Sequence, residues 1–596
     1  MAGIHRARSN ARTARGSRLG SVLLPGLLLG LLLGGSSACG RSPAPQRRSV
    51  LLVTLDTLRP DALGCYGGPR GVSPVLDRLA SEGVLYEQAR TVTPLTLPAH
   101  ASMMTGLYPC RHTVRGNGPA ALPAAARTLA ERAQDGGYRT AAFVSAVVLG
   151  RTWGLDQGFA SYDEPPPPAA DASPLDIERR AAPRTVAAAR AWLAAGDADA
   201  PFFLWVHLFD AHQPNDPPRR LLERARGNPY WAEVARMDEA LGALLEDLRT
   251  SGALAHTLVV VVADHGESFG EHGEQSHGTY LYDSTLAVPL IVRYPDGYRA
   301  GKRSAELVSV ADLHPTLIEA MDLGEPGDVD GISLFHRRVP PDRGIYFESY
   351  FGWINYGWSP VAGWMVGTEK YLHSPTPELY DLRRDPAEER NLADSGARTA
   401  RFRQALDEVL ARPPIATELR SAGADEDVLA DLRQLGYAGS FDVTRGYPKP
   451  TDPTDRPSPF ASREEKLQID WAYHRDRAGA VAEAIAGYEQ IRAANPNNAL
   501  VRERLLERLV EQQRDEEALA VCVELVALEP SRADVRATRA MLLERLDRLE
   551  EAVRAYERAI ELDPADSALE LRLSRLLGRL ERRAEVDAAA KPAAGG

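Results

Sequence analysis

Three apolar runs of strand length end in residue types that bind metals. LLVTL runs into Asp56, FFLWVHLF into Asp210 and then His212, and LVVVVA into Asp264 and His265. In an open parallel sheet, ligands sit beyond the carboxyl ends of the strands, so these residues are expected to converge on one rim. Further apolar runs at 141–145 and 288–294, with the first run spanning 49–55, alternate with stretches such as 75–80 and 238–249, whose apolar residues recur three and four apart. That alternation predicts an α/β fold with a mostly parallel central sheet covered on both faces. The segment 164–172 carries four consecutive prolines and is expected to be a loop.

A second signal lies in TPLTLPAHASMMTGLY, residues 93–108. Pro98 suits the first turn of a helix, which would place Thr96 at a helix N-terminus, where free N–H groups and the helix dipole favour an anion. Thr96 in that place is either a nucleophile beside bound anion or simply a cap.

The rest of the chain bounds the function. A formal net charge of −12 leaves no basic footprint for tracking phosphates, so no nucleic acid is expected among the partners. Arg6, Arg8, Arg12, Arg15 and Arg18 precede the apolar run 21–34, which reads as an export signal over residues 1–39. The run closes on Ser36-Ser37-Ala38-Cys39-Gly40, similar to a bacterial lipoprotein cleavage box with Ser36 where Leu is usual. The mature chain is therefore expected outside the cytoplasm, periplasmic or at the cell surface and anchored to membrane at Cys39, with 40–48 as tether. Cys65 and Cys110 are expected either to pair or to stay as two buried thiols. Far downstream, Pro496, Pro530 and Pro564 are 34 residues apart, as are Ala484, Ala518 and Ala552, and Tyr488, Cys522 and Tyr556. That period is the tetratricopeptide pattern, an all-α solenoid expected over 463–590 with a protein partner as its usual ligand. GYPKPTDPTDRPSPF before it reads as an extended Pro-rich linker, 441–462, and the repeats as a module whose removal spares small-ester chemistry.

The span 49–440 resembles a sulfatase-type domain of the alkaline phosphatase superfamily. The resemblance rests on VTLDTLRPDALGCYGG, TPLTLPAHASMMTG, VVADHGESFGEHGE, VPLIVRYP, VSVADLHPTLIEAM and ELYDLRRDPAEERNL, in the family's order. It implies an alkaline-phosphatase-like sandwich and an ester hydrolase. True sulfatases mature a Cys or Ser to formylglycine, followed two residues on by Pro and four on by Arg. This chain has Thr96, Pro98 and His100 there. Threonine cannot become that aldehyde, which leaves a plain alkoxide nucleophile that a metal must activate, as the superfamily's nucleotide pyrophosphatases and phosphoethanolamine transferases use.

Sulfatases usually hold calcium with oxygen ligands, including an Asp-Asn pair where this chain has Asp264-His265. Imidazole suits transition metals, so Asp56, Thr96, Asp264 and His265 are expected to hold a divalent ion, zinc or manganese ahead of calcium. His277, where the resemblance to the transferases places a His, and His212 would complete a second metal site or protonate the leaving group. Asn117, at a spacing resembling the pyrophosphatases, would bind an ester oxygen or merely form a turn with Gly118. His100 is expected to orient Thr96 or the anion. His207 reads as core or as support for a ligand, and Arg59 with Asp61 as braces of the first loop. The function so read is hydrolysis of a sulfuric or phosphoric ester. Phosphoryl transfer of the phosphoethanolamine-transferase type, or a non-catalytic adaptor acting through its repeats, stand as alternatives.

Overall fold

The computed structural model describes residues 47–590 apart from 119, 167–179, 336, 394–395, 397, 419, 422–445 and 565. The export signal, Cys39 and most of the Pro-rich loop at 164–172 thus lie outside the described residues. From Arg47 onward the chain forms one compact unit.

Eight strands make the main sheet, in the spatial order 161–163, 139–143, 202–208, 49–55, 257–263, 290–293, 84–90, 302–309. Only Leu290–Arg293 runs antiparallel to its neighbours. Every residue of Ser49–Leu55, Phe202–Leu208 and Thr257–Ala263 is buried, as central strands covered on both faces require. Leu55 pairs with both Leu208 and Ala263, so the three strands end level and hand their next residues to one rim. The edge strands Ser161–Asp163 and Lys302–Ser309, and Val84–Arg90 beside the latter, are short or interrupted by exposed charge, and their apolar runs are correspondingly broken. A second, four-stranded antiparallel sheet (344–349, 361–366, 369–373, 378–381) completes this part of the chain.

Beyond it stand seven described helices, from Arg463–Arg477 to Ser567–Ala590. Ala484, Ala518 and Ala552 are fully buried and Tyr488, Cys522 and Tyr556 nearly so, which is why the sequence repeats small and large residues at these positions. Cys65, Cys110 and Cys522 are all free thiols.

The repeats pack directly against the sheet-bearing part of the chain. Leu95, Phe351, Tyr356 and Trp358 of the sheet-bearing part share one apolar core with Ile469, Ile485, Tyr488 and Val501 of the repeats. Trp358 Nε1 donates to Glu465 Oε2 at 3.0 Å, and Asn495 Nδ2 donates to the Tyr356 carbonyl at 2.8 Å. The described part of the Pro-rich linker does not extend into solvent. Ser359 N donates to Pro457 O, Tyr350 Oη to Pro448 O, and Phe460 is buried against Tyr280 and Tyr282. Prolines set an extended backbone, but the aromatic and hydroxyl side chains between them decide that it lies flat on the protein.

Candidate active site

Asp56 leaves the strand Ser49–Leu55 fully buried, its backbone N–H bonded to Leu208 O. Thr57 follows with φ 53°, a left-handed conformation unfavourable for a β-branched residue. It is held there by Thr57 N donating to Asp264 Oδ1 at 3.3 Å and Thr57 Oγ1 donating to Asp56 O at 2.8 Å. Two strand ends are thereby tied together.

Thr96 opens the helix Thr96–Thr105, fully buried, with Oγ1 3.5 Å from Asp56 Oδ2 and 3.3 Å from His265 Nε2. The hydroxyl does not cap its own helix. Asn117 does part of that work, its Oδ1 accepting from Leu97 N at 2.8 Å, while its buried Nδ2 makes no hydrogen bond among the described residues. His100 lies one turn along the same helix. Its Nδ1 must donate to the Thr96 carbonyl at 2.8 Å, so Nε2 accepts from Thr54 Oγ1 at 3.0 Å. Burial lowers its pKa to about 3 and keeps it neutral. With both nitrogens engaged, one of them on the Thr96 carbonyl, His100 is placed to orient Thr96, the first of the two roles expected for it, and has no free ring nitrogen for an ester oxygen, the substrate-binding alternative.

Asp264 Oδ1 accepts from Thr57 N and from His265 N, while Oδ2 accepts no hydrogen bond among the described residues. Asp56 Oδ1 is likewise buried without a partner. His265 Nδ1 donates to Gly266 O at 2.9 Å, which leaves the lone pair on Nε2, 3.5 Å from Asp264 Oδ2 and 3.3 Å from Thr96 Oγ1. Burial pushes the Asp56 carboxyl up to about 7, offset in part by His265 and reinforced by Glu267. Two orphaned carboxylate oxygens and an imidazole lone pair around one hydroxyl are what a divalent cation requires, so the residues fit a metal. Ligand atoms of Asp56, Asp264 and His265 lie within 4.8 Å of one another. So do those of His100, His207 and Asp264. The second group is a weaker candidate. His100 would have to surrender its bond to Thr96 O, and His207 Nδ1 accepts from Ser145 N at 3.3 Å, which puts the ring proton on Nε2, 3.3 Å from Asp56 Oδ2. His207 thus offers no lone pair to an ion, and its buried Nε2 makes no hydrogen bond among the described residues.

His277 and His212 line the open side. The His277 ring lies 4.3 Å from that of His265 and 5.1 Å from that of His212, centroid to centroid. Its Nδ1 bonds Glu267 Oε1 at 3.0 Å. His212 Nδ1 donates to Gln213 O at 2.7 Å. Burial lowers the His277 pKa to about 4 and raises that of Glu267 to about 8. Glu267 escaped the sequence reading. The signal lay in DHGE, a carboxylate two residues past a ligand His, but nothing local says that it turns inward. Asp210 is elsewhere. Both its oxygens accept from Ala182 N at the start of the helix Ala182–Ala194, and Arg236 pairs with it at 3.2 Å. Arg59 joins Asp61, Glu271 and the Glu267 carbonyl, bracing the rim as its sequence context implied.

Residues 48–323 match the family model described as Sulfatase, residues 270–413 that of the N-sulphoglucosamine sulphohydrolase C-terminal region, and residues 533–566 a tetratricopeptide repeat. The chain is similar to the uncharacterized sulfatase YidJ of Escherichia coli strain K12, 26% identical over 441 residues, covering 59% of this chain and 84% of that protein. It is also similar to the Delta 4,5-hexuronate-2-O-sulfatase of Bacteroides thetaiotaomicron, 24% identical over 467 residues, covering 68% and 97%. Among solved structures, the phosphonate monoester hydrolase of Agrobacterium radiobacter superposes with a TM-score of 0.50 at 23% identity, over 61% of this chain and 95% of that one. That likeness concerns the fold.

Proposed function

Since the chain carries a sulfatase domain with a tetratricopeptide repeat behind it, we propose that it hydrolyses sulfuric or phosphoric esters with Thr96 as nucleophile. The observation that carries this reading is the Thr96 hydroxyl 3.3 Å from a His265 nitrogen whose lone pair is fixed by the Gly266 carbonyl. Thr96 Oγ1 forms a bond to the central sulfur or phosphorus as the bond to the alcohol oxygen breaks on the opposite side. Its proton passes to Asp56 Oδ2, the acceptor 3.5 Å away, because the single lone pair on His265 Nε2 is the one that would hold the cation. His277 and His212 line the side from which the alcohol oxygen leaves, and the proton it takes comes from the Glu267 carboxyl, relayed through the His277 ring whose Nδ1 that carboxyl bonds. The unpartnered Nδ2 of Asn117 and the N–H groups of the helix start offset charge on the non-bridging oxygens. Water then attacks the Thr96 ester and frees the hydroxyl, whereas an acceptor alcohol in its place would make the same residues a transferase. A panel of aryl sulfate, phosphate monoester and phosphodiester substrates separates sulfuric from phosphoric esters, and added acceptor alcohol, with the transferred product measured, separates transfer from hydrolysis.

Asp56, Asp264, His265 and Thr96 would hold the divalent cation, which supplies positive charge that lowers the hydroxyl pKa and neutralises the ester. The imidazole at 265 supports zinc or manganese over calcium, which binds oxygen almost exclusively. His265→Asn should therefore move the preference toward calcium, measured as bound metal after equilibration with equimolar zinc, manganese and calcium. Unchanged metal selectivity in that variant, or calcium as the ion held by the parent protein, would defeat the assignment. An adaptor without catalysis need hold no stoichiometric ion. The repeats are proposed to carry a protein partner, and residues 1–39 to direct an exported, lipid-anchored chain. Membrane fractionation with and without a detergent wash tests the anchor, and recovery in the soluble fraction alone would remove it.

A further inference from the structure

The cleft beside Thr96 does not end on the sheet-bearing part of the chain. A cavity of about 180 Å³ begins at His277 and Leu95, the residue before Thr96, and runs past Phe351 to Ile469, Tyr473 and Leu500 of the first and third repeat helices. The His277 ring touches that of His265, so this space opens on the side where the proposed mechanism releases the alcohol. Most polar groups along it are already engaged, while Thr279 Oγ1 is buried without a hydrogen-bond partner among the described residues. Lys466 Nζ bonds both oxygens of Asp470 at 2.6 and 2.7 Å, Arg504 Nη1 bonds Glu507 at 3.2 Å, and Glu274 Oε1 accepts from Thr279 and Tyr280 N–H groups. A site built for a polyhydroxylated group keeps donors and acceptors in reserve, because unpaired ones give it selectivity. Here a single threonine hydroxyl is in reserve, and rings and aliphatic chains make the rest of the contact.

We propose that the repeats build one wall of the leaving-group pocket, and that this pocket takes a single hydrophobic ring. The proposal rests on Thr96 as the reacting centre only for its orientation. Size agrees with the class: an apolar cavity of about 150 Å³ holds benzene, so the space suits a monocyclic phenol and not a disaccharide. The repeats then select substrate directly, in addition to any partner they bind elsewhere.

The test measures binding of the alcohol instead of turnover. Titration of 4-cyanophenol into the full-length protein, followed by calorimetry, should show saturable binding, which Leu500→Trp and Tyr473→Ala each weaken tenfold or more. Methyl α-glucoside should not bind. Melting curves establish that the variants fold; Tyr473 is half-exposed, so its truncation keeps the test open if the larger indole of Leu500→Trp is not accommodated. Absence of 4-cyanophenol binding, undiminished binding in folded variants, or glucoside binding that the variants abolish would overturn the proposal. Thr96→Ala separates the two readings. It should bind 4-cyanophenol as the parent does and hydrolyse nothing; a Thr96→Ala protein that still hydrolyses an aryl ester while binding the phenol would sink the nucleophile and leave the pocket standing.

Discussion

Thr96→Ala should lower turnover of any ester by about four orders of magnitude while barely moving the melting temperature. The size of the loss follows from chemistry: in the proposed mechanism the hydroxyl is the atom that bonds to sulfur or phosphorus, and the nearest histidines already have assigned partners. The small change in stability follows from geometry. Oγ1 neither caps its helix nor bonds the backbone, and its neighbours are Asp56 and His265 at 3.5 and 3.3 Å. Alanine is also the better helix former. Thr96→Ser keeps the hydroxyl and should retain activity within roughly tenfold, since only a methyl group is lost. Single-turnover mass spectrometry should find the group on Thr96, and retention of most activity in the alanine variant would end the covalent mechanism.

Removal of residues 463–596 should cost the protein its fold, not merely a partner. Phe351, Tyr356, Trp358 and Leu95 would lose the apolar surface that covers them. Each such side chain contributes about 1.5–3 kcal/mol when fully buried. Even partial exposure of four is comparable to the margin by which a domain is stable, about 5–15 kcal/mol. Hydrogen bonds from Asn495 to Tyr356 O and between Trp358 and Glu465 vanish as well. The truncated chain should be recovered mainly as aggregate, and the intact chain should melt in one transition. Two separate transitions in calorimetry, or a soluble truncation with the parent's activity on a small ester, would contradict this.

What could be read from residues alone follows a physical line. The three central strands were legible because burial on both faces forces an unbroken apolar run, and their ends because polar residues stop each run abruptly. Thr96 was legible because Pro98 marks a first helical turn, and the solenoid because repetition at 34 residues needs no knowledge of partners. Features that depend on contacts between distant segments were hidden. Nothing near Glu267 announces that it will meet His277, or near His100 that both ring nitrogens will be spent on Thr96 O and Thr54. The prolines of the linker were read for their backbone, and the surface against which Phe460 buries itself lies more than 150 residues upstream.

The left-handed Thr57 has a consequence for the choice of ion. A non-glycine residue in that conformation stores on the order of 1 kcal/mol, and it stays there because its N–H grips the carboxylate of Asp264 while its hydroxyl grips the strand end at Asp56. The spacing between the two carboxylates is therefore a property of the tensed backbone, like the gap of a caliper locked before use. If Asp56 and Asp264 hold the proposed ion, discrimination among cations by radius would belong to the scaffold as much as to those carboxylates, and a glycine at position 57 would relax the chain and blur the gauge.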